Sequence, residues 1–171
     1  MRKRFGKGVC VVVVSLMVAV SSYAETEHAS RPATKKDLVG TWELVSVRPA
    51  QNAKDPVFYP YQRFQFNADS SMKYMTSTEP FTKDWLDKFR KEQAAIDFRV
   101  DERGVLSLMW QKKRYEESAI CAVSQKEIPA DVLAKIPKDK RKGLPKKGDM
   151  TLSYLNPEGR IAYQKVLTRV A

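Results

Sequence analysis

The sequence predicts an all-β, mainly antiparallel fold: an eight-stranded up-and-down β-barrel with one inserted amphipathic helix and a long basic connector. Three observations carry this. Eight segments have strand-like apolar and polar patterning, the period of a strand with one buried face. Several of them flank short turn sequences and read as hairpins. The first, Gly40-Thr41-Trp42-Glu43-Leu44-Val45-Ser46-Val47, sets a glycine suited to a tight turn or close approach two residues before a large indole. Eight tilted strands close a barrel just wide enough for side chains or one small ligand.

The chain opens on Arg2, Lys3, Arg4 and Lys7, continues with an almost wholly apolar run of 12 residues from Val9 to Val20, and then reads Ser22-Tyr23-Ala24. This order is that of a secretory signal at 1–24. The run is shorter than the ~20 residues that cross a bilayer, and Cys10 stands at its wrong end for lipid acylation. A periplasmic or secreted protein is therefore expected, with a polar tail at 25–36 and a single barrel domain at 37–171. Four of the 31 Lys and Arg lie in the signal, so 27 face 20 Asp and Glu and the mature chain carries +7. That charge serves solubility or draws the protein toward anionic surfaces.

Thr34-Lys35-Lys36-Asp37 has capping-box spacing and predicts one helical turn before the first strand. In that strand Trp42, Leu44 and Ser46 face one way and Thr41, Glu43, Val45 and Val47 the other. Pro49, Pro56 and Pro60 then interrupt regular structure around the apolar Val57, Phe58, Tyr59 and Tyr61. Segments 63–67 and 72–76 flank Ala68-Asp69-Ser70-Ser71 and make the clearest hairpin, with Phe64, Phe66 and Tyr74 inward.

From Phe81 to Ala95 the period lengthens to nearly four, with Phe81, Trp85 and Phe89 at i, i+4 and i+8 beside Leu86. Thr82 is the expected N-cap, and Phe81 with Leu86 has staple spacing. An apolar helical stripe ordinarily packs, so this helix is read as docked on the barrel rather than as a lid. Strands 96–100 and 105–110 follow around Asp101-Glu102-Arg103-Gly104, then 114–123. Segments 150–154 and 160–170 around Asn156-Pro157-Glu158-Gly159 close the series.

Connector 126–148 carries Pro129, Pro137 and Pro145, and its second half concentrates Lys135, Lys138, Lys140, Arg141, Lys142, Lys146 and Lys147 against Asp139 alone. It reads by default as a solvated, mobile loop, with a helical turn or two at 130–134. Lys138, Lys140, Arg141, Lys142, Lys146 and Lys147 are also the candidate patch for an anionic membrane or cell-envelope surface, at about 1 kcal/mol per charge near the surface. No aromatics are interleaved to stack on bases, so nucleic acid is not an expected partner.

Little in the chain suggests catalysis. Cys121 is the one cysteine that survives processing, and it shares a strand face with Tyr115, Ala119 and Val123, which reads as a buried thiol. The single histidine, His28, falls in the tail, against a Ser-His or Cys-His pair, a histidine metal site or haem. Glu116 and Glu117 are adjacent on a strand and point to opposite faces, so they do not converge on one bond; Glu117 is the one with a place in the interior. No catalytic residue, metal or cofactor is predicted.

Gly40-Thr41-Trp42, the eight strands and the basic terminal strand resemble the lipocalins, the fatty-acid-binding proteins and the bacterial lipocalin-like proteins. The resemblance implies that Trp42 closes the bottom of the barrel under a basic side chain, Arg169 first and Lys165 second. It also implies that the segment after the first strand folds over the mouth, unless it covers a barrel edge. The inward set is then Trp42, Phe64, Phe66, Phe98, Tyr74, Trp110, Tyr115, Tyr154 and Tyr163, a lumen suited to an acyl chain or a flat hydrophobic molecule with a polar end, unless the rings interdigitate and fill it. The leading expectation is a monomeric, non-catalytic carrier of a small hydrophobic ligand. The other is a solid-barrel interaction or inhibitor module that meets an anionic surface or a partner protein through 126–148.

Overall fold

The alternating segments close on themselves because the first long strand pairs with the last. The computed structural model describes residues 30–48, 58–110 and 115–170; the predicted signal, His28 and residues 49–57 lie outside them. In chain order the elements are β1 (Ser30–Pro32), α1 (Lys35–Leu38), β2 (Gly40–Arg48), β3 (Tyr61–Phe66), β4 (Ser71–Ser77), α2 (Lys83–Lys91), β5 (Ile96–Val100), β6 (Val105–Trp110), β7 (Tyr115–Ser124), α3 (Ala130–Lys135), α4 (Lys138–Arg141), β8 (Met150–Leu155) and β9 (Ile161–Val170). Each strand from β2 to β9 pairs antiparallel with its successor, and β9 returns to β2, giving a closed eight-stranded antiparallel barrel. The β4–β5 seam is the shortest, with only Ser71 opposite Asp97 and Met72 opposite Ile96.

Register decides which side chains point in. Trp42 opposes Arg169 and Leu44 opposes Leu167, but the ladder slips between Leu44 and Ser46, so that Ser46 faces Val166 and Val47 faces Lys165. The extra residue reverses the alternation beyond it. Ser46, expected inward with Trp42, therefore lies on the outer wall, where its hydroxyl donates to the Gly143 carbonyl at 2.7 Å.

The closed end of the barrel is filled. Leu38, Trp42, Phe66, Leu106, Cys121, Met150, Leu152 and Leu167 are all buried there, and Phe66 meets Phe98 edge to face at 5.1 Å. Part of the expected polar tail belongs to this plug: Ser30–Pro32 pairs with β7, Ala33 is buried, and Ala33 N–H donates to the Cys121 carbonyl at 2.9 Å. In the capping box Asp37 does the capping, accepting from the Thr34 N–H at 2.8 Å and hydroxyl at 2.7 Å.

Helix α2 is shorter than its apolar stripe and is buried chiefly at its C-terminal end, while Phe81 ahead of its N-cap meets Tyr61 of β3 edge-on at 6.4 Å. Phe89 is buried while Trp85, expected on the same packed face, is 49% exposed. Thr82 accepts from Trp85 N–H as the predicted cap. At the other end Lys73, on the outer face of β4 and only 7% exposed, donates to the carbonyls of Phe89, Arg90 and Glu92. This cation neutralises the helix's negative end and anchors it to the wall.

The connector is folded, not a loose loop. After α3 and α4, Gly143 at φ +85° lies so close to Ser46 that a Cβ there would come within 2.5 Å of the Ser46 Cβ, and Arg48 also donates to its carbonyl. Buried Asp149 accepts from Lys146 N–H at 2.8 Å, so the segment returns to the barrel tied at both its middle and its end.

Candidate ligand-binding site

The bottom of the barrel is built around Trp42. Its indole N–H donates to the Leu38 carbonyl at 2.7 Å, and the Arg169 guanidinium lies over the ring at 4.6 Å from the centroid. Arg169 also donates to the carbonyls of Val39 at 2.8 Å and Asp37 at 2.6 Å. Gly40, at φ +134°, makes room for it: a Cβ would sit 2.6 Å from Arg169 Nη1. One side chain thus covers the indole and ties down the end of α1.

Above this plug a cavity of about 90 Å³ remains. Its floor is formed by buried Phe64, Met72, Leu108, Tyr154 and Lys165. Tyr74, 43% exposed, with Trp110 and Thr76 borders the cavity. Ring contacts order its walls: Phe64 stacks on Tyr74 at 6.0 Å, Tyr74 meets Trp110 edge-on at 6.3 Å, and Tyr154 stacks on Tyr163 at 4.5 Å. Phe58, inside the proline-interrupted segment after β2, packs edge-on against Tyr163 at 5.0 Å.

Lys165 and Glu117 bring charge into this aromatic space. Lys165 is 6% exposed, and its Nζ stands 5.6 Å from the ring centroids of both Phe64 and Tyr154. Burial raises the Glu117 carboxyl above its ordinary value, an effect the Lys165 charge partly offsets. Burial also lifts the hydroxyls of Tyr74 and, much further, Tyr154, with the Glu117 charge adding to both. These phenols stay protonated and can donate hydrogen bonds.

The residues read from the sequence therefore separate into three groups. Phe64, Tyr74, Trp110 and Tyr154 line the cavity, with Tyr163 stacked behind Tyr154. Phe66 and Phe98 fill the barrel and take no part in the cavity lining. The side chain of Tyr115 lies outside the described residues. Lys165, expected as the second candidate over Trp42, instead reaches the cavity. Met72, Thr76 and Leu108 were not foreseen, although each shares its strand face with a foreseen neighbour.

On the outer wall, Lys138, Lys142, Lys146 and Lys147 are exposed. Arg141 is set apart from them, because its guanidinium donates to the carbonyls of Ile136 at 2.8 Å and Ala134 at 3.3 Å. The side chain of Lys140 lies outside the described residues. Among the described residues no group of three or more His, Cys, Asp and Glu is placed to hold a metal ion.

No family model matches the chain, and neither a curated protein nor a solved structure matches it. A closed barrel serves many unrelated functions, so function has to be argued from the cavity itself.

Proposed function

We propose that this chain is an exported, non-catalytic binding protein of lipocalin-like type, which takes one end of a small, largely apolar ligand into the open half of its barrel. The observation that supports this reading is the uneven filling of the lumen. Buried side chains pack the end around Trp42, while farther along the lumen a cavity remains, walled by aromatics and furnished with two charges. Buried charges are costly where they serve packing alone, and a few convergent polar groups in an apolar pocket are what ligand orientation needs.

The volume limits what enters. A cavity of 150 Å³ holds benzene, so about 90 Å³ receives only part of such a molecule and the remainder rests on Tyr74 and Trp110. The test is calorimetric titration of the mature protein with benzamide. Saturable binding that disappears in Leu108→Phe, which fills the floor, and survives in Val45→Phe on the outer wall supports the reading. No uptake by the wild-type protein overturns it.

A second reading rests on the connector. Exposed lysines on a segment held against the barrel, Lys138, Lys142, Lys146 and Lys147 among them, form a surface for anionic envelope polymers or lipids. It expects salt-sensitive binding to anionic vesicles that is lost when Lys138, Lys142, Lys146 and Lys147 are changed to Gln, with benzamide uptake unaltered.

A further inference from the structure

A second cavity lies outside the barrel, between the connector and the outer wall of β2 and β9. Its volume is about 360 Å³, more than twice the roughly 150 Å³ that holds benzene. Apolar Val45 and Leu144 line it together with Thr168, Arg141, Lys142 and Lys146. Val45 owes its place to the slip in the ladder. Leu44 opposes Leu167 and Ser46 opposes Val166, so Val45 is the extra residue, turned into the groove and 42% exposed. Bulges are enriched beside active sites, where they re-aim a side chain.

The charges around this groove are unbalanced. Arg141, Lys142 and Lys146 are set against Asp149, the one acid among the described lining residues, which leaves a net formal charge of +2. Asp149 is buried and engaged, its carboxylate accepting the Lys146 N–H and closing the turn that carries Lys146. Arg141 commits Nε and Nη2 to the carbonyls of Ile136 and Ala134, which fixes the plane of its guanidinium and leaves Nη1 for a ligand. The ammonium groups of Lys142 and Lys146 and the hydroxyl of Thr168 have no partner among the described residues. A preorganised arginine beside two such ammonium groups suits a compact anion of high charge. A phosphate monoester carries about −1.5 to −2 near neutral pH and presents three acceptor oxygens, whereas carboxylates, sulfate monoesters and phosphodiesters carry one charge each.

We propose that the groove between the connector and the outer wall binds a phosphate monoester, its dianionic head among Arg141, Lys142, Lys146 and Thr168 and its apolar part on Val45 and Leu144. The proposal rests on the connector reading, to which it gives a site and a ligand class, and is separate from the lumen.

Calorimetric titration of the mature protein with phenyl phosphate at about pH 7.5, where the monoester is a dianion, tests this. Saturable binding is expected, at least about tenfold tighter than that of phenyl sulfate, which has the same ring and one charge less. It should fall at least about tenfold in Lys142→Gln/Lys146→Gln and in Val45→Glu, two surface variants that keep the wild-type unfolding midpoint, and persist in Leu108→Phe, which fills the lumen floor. Vesicles of phosphatidylcholine with about one-fifth phosphatidic acid identify the source of the monoester. Displacement of phenyl phosphate by them supports the site with a lipid headgroup as its ligand, and no displacement supports it with a soluble one. Absence of phenyl phosphate binding, equal affinity for phenyl sulfate, or full affinity in either surface variant overturns the groove assignment. Vesicles with about one-fifth phosphatidylglycerol, a diester, report on the connector reading separately. Salt-sensitive binding to them without uptake of phenyl phosphate leaves that reading standing, and loss of both overturns both.

Discussion

Arg169 lies over Trp42, its guanidinium carbon 4.6 Å from the ring centroid, while two of its nitrogens hold the carbonyls of Asp37 and Val39. The last strand thereby fastens the turn that precedes the first barrel strand, across a sequence separation of about 130 residues. The plug at the bottom of the barrel is stabilised by both chain ends at once.

Replacing Arg169 by Ala removes a cation–π contact and two charge-assisted hydrogen bonds, an expected loss of about 1–3 kcal/mol. Arg169→Lys should recover only part of it, because a point ammonium does not lie on the indole and serve two carbonyls together. Denaturant unfolding followed by tryptophan fluorescence measures both, and equal stability of all three proteins would refute the closure role.

Asp37 supplies an acid-sensitive contribution at the same end. Hydrogen bonds from Arg31, at 2.6 and 2.7 Å, and from Thr34 hold its carboxyl well below the usual range of 3.8. A group depressed in the folded state stabilises the fold fully above its unfolded value and loses that stabilisation as pH falls below it. The wild-type unfolding midpoint should therefore decline on acidification below about pH 4. Asp37→Asn should be weaker at pH 7 by about 1–2 kcal/mol and show a flatter acid limb.

Lys73 anchors helix α2 through the carbonyls of Phe89, Arg90 and Glu92. Lys73→Ala leaves these acceptors without their donor and is expected to cost about 2–3 kcal/mol. Amide exchange should quicken across 86–92 while the paired strands β2 and β9 keep their protection. Uniform loss of protection would show instead that the helix is part of one cooperative unit with the barrel.

Cys121 is fully buried, and burial pushes its thiol pKa upward. A thiol reagent should accordingly react with the native protein only as fast as the barrel opens, and at once in denaturant. Rapid native labelling would mean that the closed end breathes.

Local pattern carried a large part of this fold. Phe64 and Phe66 around an Asn-Ala-Asp-Ser turn leave one pairing with 72–76, and Thr34 to Asp37 fixes a helical turn, because these interactions lie within a few residues of one another. The inward parity of Tyr154 and Tyr163 was legible for the same reason. The candidate cavity was only half legible. Lys165 and Glu117 share strand faces with Leu167 and with Ala119 and Cys121, a charge on an apolar face being the signal that marks them, but nothing local says that the two faces meet.

By itself the sequence determined the eight barrel strands, the main turns, the amphipathic helix and the apolar residues available to a core, since each rests on a period or a short-range steric preference; strand β1, read as polar tail, it did not. Tertiary structure alone decided the rest. The slip between Leu44 and Ser46 turned Ser46 outward to meet Gly143. Closure of β9 on β2 set Arg169 over Trp42 and Lys165 among Phe64 and Tyr154, and docking on the outer wall gave Lys73 its helix end and the connector its shape. These outcomes depend on registers and contacts between residues up to about 130 positions apart. Such pairings are selected by the packing of the whole barrel, and no window of neighbouring residues encodes them.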